Sequence, residues 1–134
     1  MAEFLRVTAR TMLATQDMRT TQYRALRANA AGEVQVASNA ALGGPSEIVG
    51  VLQNKPNSGE HASVGYDGVS KVVCGSAVNA NRLITIQQSG EATNAGSGDF
   101  AFGMALGDGN EGETISALIF QPAQQMITGS LAAL

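Results

Sequence analysis

Short apolar runs of β type, each closed by Gly, Asn, Asp or Ser, recur along the chain: TQYRALRA, EVQVAS, EIVGVLQ, ASVGY, GVSKVVC, RLITIQQ, FAFGMAL and TISALIFQ. Runs this short, separated by turn residues, leave no room for a long amphipathic helix. The pattern predicts an all-β chain, a small β-barrel or sandwich of short strands. The connections NAAGE, NKPNSGE, YDGVS, NAN, QSGEATNAGSGD and GDGNEGE supply the left-handed backbone angles that tight turns need. Asp67-Gly68, between two Val-containing runs, is the strongest local hairpin signal, with Gly75 and Asn81 also expected in turns. NAAGE is expected to close an earlier hairpin. NAALGGPSE, residues 39–47, has room for one helical turn before Gly43-Gly44-Pro45 breaks it.

Residues 1–20 differ. Phe4, Leu5, Val7, Met12 and Leu13 fit neither a helical nor an alternating period, so the segment reads as an extended N-terminal arm shaped by whatever it lies against. Residues 21–122 are the expected β-rich domain and 123–134 a C-terminal tail. The arm is the expected contact segment, with Phe4, Leu5, Met12 and Leu13 as apolar anchors and Arg6 and Arg10 meeting acidic surface. Its removal is expected to leave the β-body folded.

The charge distribution supports that reading. Arg6, Arg10, Arg19, Arg24 and Arg27 face only Glu3 and Asp17 in the first part of the chain, and the remainder is acidic, so the net charge of −3 hides a basic start on an acidic body. Nucleic-acid surfaces pair denser positive charge with stacking aromatics or a recognisable motif, so no nucleic-acid partner is expected.

A chain of 134 residues suits one domain, and its hydrophobic fraction of 44% is mostly small, with aromatics at 4% and no Trp. Small side chains bury little area each, at roughly 25 cal/mol per Å², which favours association with further copies or a partner. No apolar run approaches the roughly 20 residues of a membrane span, and MAEFLRVTARTML lacks the layout of a signal peptide, so a soluble protein not exported by a standard signal is expected. Cys74 has no disulfide partner in the chain, which suits synthesis in a reducing compartment.

No catalytic constellation emerges. His61 is the single histidine and lies in the polar stretch SGEHAS, and Cys74 in KVVCGS reads as a small buried hydrophobe. One Cys and one His cannot build a zinc site of the usual spacing. GDGNEGE offers Asp108, Asn110 and Glu113 as spaced oxygens but lacks the acidic residue at loop position five and has Ile119 where a calcium loop needs its bidentate Glu, so it reads as a polar hairpin loop. NAGSGDFAFG misses the dinucleotide spacing. No enzyme activity, cofactor or metal is expected.

Gly50-Val51-Leu52, then Pro56 and Gly59, Val64, Gly68-Val69, Val72, Gly75, Val78, Gly90, Gly103-Met104-Ala105-Leu106 and Thr114-Ile115 to Pro122 form an ordered series over Thr21–Pro122. In that order and spacing the chain resembles the capsid decoration, or cement, proteins of tailed phages. Asn81 stands where that family commonly has Gly before the LITI type of strand, and Asn tolerates the left-handed conformation the turn requires. The resemblance implies a β-rich subunit, made in the host cytoplasm, that binds the major capsid protein on the virion exterior as a homotrimer or homodimer and stabilises the shell. It brings no catalytic residues. The alternatives are a β-barrel module for a small molecule or glycan, for which six scattered aromatics give little pocket material, and another virion part such as a tail-tube subunit.

Overall fold

A computed structural model describes residues 7–38, 48–87, 89–96 and 99–124. Among them the chain is all-β, as the turn spacing predicts: β1 (Val7–Leu13), β2 (Ala25–Ala28), β3 (Val34–Val36), β4 (Ile48–Leu52), β5 (His61–Val73), β6 (Leu83–Ile86), β7 (Ala92–Asn94), β8 (Phe100–Ala105) and β9 (Thr114–Gln124). The strands form one antiparallel sheet in the order β3-β2-β4-β5-β9-β8-β6-β7, with β1 also on β5, curled into a half-barrel. NAAGE closes the β2–β3 hairpin as expected: Asn29 Oδ1 accepts from the N–H groups of Ala31 and Glu33, and Gly32 takes φ 80°. GDGNEGE joins β8 to β9. The expected helical turn at 39–47 lies outside the described residues.

Strand β5 corrects the hairpin expected at Asp67-Gly68. ASVGY and GVSKVVC are one strand of 13 residues, and the chain does not reverse between them. Opposite β1 the register runs Thr8↔Asp67 and then Ala9↔Gly65, which leaves Tyr66 as a bulge. Gly68 follows at φ 113°. Bulge and glycine bend the strand where its other edge passes from β4, which pairs with Val64 and Gly65, to β9, which pairs with Gly68–Val73, while β1 pairs on across the bulge to Gly68. The local signal was a real left-handed glycine, used for a bend within a strand.

The N-terminal segment is also corrected. From Val7 it is a strand of the chain's own sheet, paired with β5 along its length, and it leads into Ala14 and Met18, which are fully buried. β-pairing fixed what the irregular apolar pattern left open. Strand β7 was hidden inside a stretch read as a turn, because Ala92-Thr93-Asn94 is too short and polar to announce itself.

The sheet is built twice over. β1, β2, β3, β4 and the start of β5 recur as the end of β5, β6, β7, β8 and β9, with the same pairings. Val51↔Gly65 and Leu52↔Val64 recur as Met104↔Leu118 and Ala105↔Ala117, and Ala25↔Val51 recurs as Leu83↔Met104. Each half is curled shut by a parallel bridge, Ala14↔Val34 in the first and Cys74↔Ala92 in the second. The loops match in detail: Asn57 N–H donates to Glu60 Oε1 at 2.6 Å and Asn110 N–H to Glu113 Oε1 at 2.6 Å, with Gly59 and Gly112 both at φ 86°. Tyr23 and Asn81 both take φ 68°, and their N–H groups donate to Leu52 O and Ala105 O.

The halves stack in series. Ala14, Met18, Leu26, Val34, Leu52, Ala62 and Val64 form the core of the first. The larger core holds the inner residues of the second half, Phe102, Ile84, Ile86, Val72 and Ile115 among them, and takes in Ala25, Ala37, Ile48 and Val51 from the first. One face of the first half thus covers the inner face of the second.

Candidate interaction surface

Alternation along β9 puts Ile115, Ala117 and Ile119 in the core, so Thr114, Ser116 and Leu118 share the opposite face. Leu118 breaks an otherwise polar face and is 38% exposed. Its neighbours directly across the sheet are also apolar: Val69 on β5 and Met104 on β8, with Leu83 on β6 beyond Met104. Directly opposed residues lie on one face with Cβ atoms about 5 Å apart, so Val69, Leu118, Met104 and Leu83 form a continuous apolar row across four strands. Leu106, 46% exposed, continues it beside Ser116. A shallow concavity of about 620 Å³ adjoins the row, with Lys71, Asp108 and Thr114 in its wall. Apolar groups placed side by side on a solvent face suit shape-based contact with another macromolecule.

The polar groups nearby are occupied with the fold. Asp108 accepts from Ala80 N–H at 2.8 Å, and Glu113 caps its own loop, so these two carboxylates of GDGNEGE are turned to backbone donors. Among the described residues no group of His, Cys, Asp and Glu side chains is placed to hold a metal ion, and no helix is long and apolar enough to cross a membrane. His61 is exposed at the start of β5. Cys74 is buried, and burial, aided by the nearby Glu113 carboxylate, pushes its thiol pKa up.

The residues singled out in the sequence are dispersed. Phe4, Leu5 and Arg6 lie outside the described residues. Arg10 stacks its guanidinium 4.5 Å from the centre of the Tyr66 ring, Met12 packs against the first core, and Leu13 is 37% exposed, all on β1. Asp67 is exposed beside the bulge and Gly68 sits in the bend. Gly75 makes a close approach, since a Cβ there would meet Glu91 Cβ at 2.9 Å and the Gln87 side chain closer still. Asn81 takes the left-handed conformation expected of it. None of these forms the row. Its signal was present in TISALIFQ, where Leu118 occupies a position that alternation with Thr114 and Ser116 marks as outward.

No protein-family model and no curated protein sequence matches the chain. Among solved structures it is similar to the N base of head fiber gp8.5 of bacteriophage phi29, with a TM-score of 0.64 and 18% sequence identity over 87% of this chain and 97% of that one. The likeness is one of fold. It spans nearly the whole of both chains, so it covers both halves of the sheet, while the resemblance to decoration proteins rests on the residues quoted for it.

Proposed function

We propose that this protein is a structural component of a tailed-phage virion that binds the outer surface of the capsid shell and reinforces it. The observation that carries the reading is the fold shared with a phage head fiber base, over 87% of this chain and at low identity. The ordered glycines and valines of Thr21–Pro122, which resemble the decoration proteins, support the same assignment. The open apolar row on a sheet whose polar side chains serve its own turns is the kind of surface an assembly subunit needs. In this reading the partners are the major capsid protein and further copies of the chain, and no substrate is turned over. Attachment at many lattice sites turns modest contacts into firm binding through effective concentration. A subunit that binds only the intact lattice stabilises it by mass action.

The test is to challenge particles with and without the protein by graded heating. Complete particles are expected to release their genome at a higher temperature, with the difference restored by adding purified protein. Identical release temperatures, with no protein sedimenting with the shells, overturn the proposal.

A further inference from the structure

Repetition within the chain identifies what fits the open row. Val51 and Ala25 of the first half lie in the buried cluster shared with the second half, and their counterparts in the second half are Met104 and Leu83. Leu83 and Met104 are therefore copies of residues that the first half uses to cover its neighbour, whereas Val69 and Leu118 correspond to Ala9, exposed on β1, and Gly65. The other first-half residues in that cluster, Ala37 and Ile48, have counterparts Ala95 and Ala101 that are already buried, so the opening is confined to Leu83 and Met104. The complementary surface is repeated as well. Val72, Ile86 and Phe102, each at most 2% exposed, are covered in the second half, and their counterparts Met12, Ala28 and Val49 are only partly buried in the first.

The polar contacts across the junction follow the same pattern. Ala25 N–H donates to Gly90 O at 2.8 Å, Val73 N–H donates to Tyr23 O at 3.0 Å, and Arg24 pairs with Glu91 at 3.9 Å. The counterparts of Arg24 and Glu91 are Arg82, which is exposed, and Glu33; those of Ala25 and Gly90 are Leu83 and Gly32. Gly32 lies at an open hairpin tip, where a Cβ would meet nothing within 4 Å, whereas Gly90 is buried against Ala25.

We infer that a second copy of this chain docks head to tail, its Met12, Ala28 and Val49 side covering the Leu83–Met104 end of the row and its Glu33 meeting Arg82, in repetition of the junction inside each chain. Such a contact is heterologous, so it closes into a ring or continues as a fibre. The inference deepens the self-association in the proposed function. Attraction comes mainly from apolar contact, and the exposed ion pair sets register.

Sedimentation of the full-length chain over a wide concentration range tests it. Wild type is expected to associate, Leu83→Asp with Met104→Asp to weaken association at least tenfold, and Arg82→Glu to weaken it several-fold with recovery when Glu33→Arg is added. Circular dichroism keeps folding in view, since the row faces solvent. Cross-linking is expected between Arg82→Cys and Glu33→Cys chains. A monomer at every concentration, association unmoved by both sets of changes, or a Leu118→Cys chain that cross-links efficiently to itself in a face-to-face dimer overturns the inference. A monomeric chain that still binds shells removes this inference and leaves the proposed function standing; a head-to-tail oligomer that ignores shells does the reverse.

Discussion

Gly68 shows how a single residue carries both local and global information. Its φ of 113° lies where a side chain is strained, and a β-branched one most of all. Gly68→Val is expected to cost more than the roughly 1 kcal/mol of an ordinary glycine replacement, read as a lowered melting temperature; an unchanged value would contradict a bend that depends on glycine. Cys74 offers a second check. Its buried thiol has a pKa raised from the ordinary 9.0, so the fold favours the protonated form. The stability this confers is complete below the unfolded-state pKa and is lost as pH rises through the folded one, so thermal stability should begin to fall above about pH 9 in part through Cys74. Cys74→Ser should flatten that limb. A thiol reagent at pH 8 is expected to react only as fast as the protein unfolds, and rapid labelling of the native chain would place the thiol in solvent.

At the scale of elements, the strands were legible wherever apolar alternation met a turn signal, as in β2 with β3 and in β8 with β9. They were illegible where the deciding force was pairing with distant chain. β1 has four consecutive exposed residues, Thr8 to Thr11, with Leu13 close behind, that give no apolar stripe, because only one of its edges and one of its faces meet the rest of the sheet among the described residues. β7 is three residues long. The doubling of the sheet left few identities to read, Gly50 with Gly103, Asn57 with Asn110, Gly59 with Gly112 and Glu60 with Glu113 among them, since a strand tolerates any side chain of the right polarity while a cap or a left-handed turn does not. The interaction row was missed for a related reason: it is made by four strands, and no single run contains it. Because β1 pairs with β5 along its length and Ala14 and Met18 belong to the core, deleting residues 2–18 should abolish the cooperative unfolding transition, whereas deleting residues 2–6 should leave it in place. Met18→Ala should cost about 2–5 kcal/mol in denaturant unfolding. A 2–18 deletion with native stability would return this segment to the status of a detachable arm.

For the whole molecule, two stacked copies of one sheet unit leave Leu83 and Met104 at one end, and Met12, Ala28 and Val49 at the other, as counterparts of what the middle has buried. In the proposed reading, that arrangement gives a chain poor in aromatics a route to assembly on a lattice. Reconstruction of phage particles carrying the protein, compared with particles lacking it, tests the central claim most directly. Density fitting the curled sheet is expected on the outside of the shell, in contact with the major capsid protein, and absent from particles without the chain. Density confined to the tail or to the shell interior, or particles that look the same with and without the protein, would contradict the account.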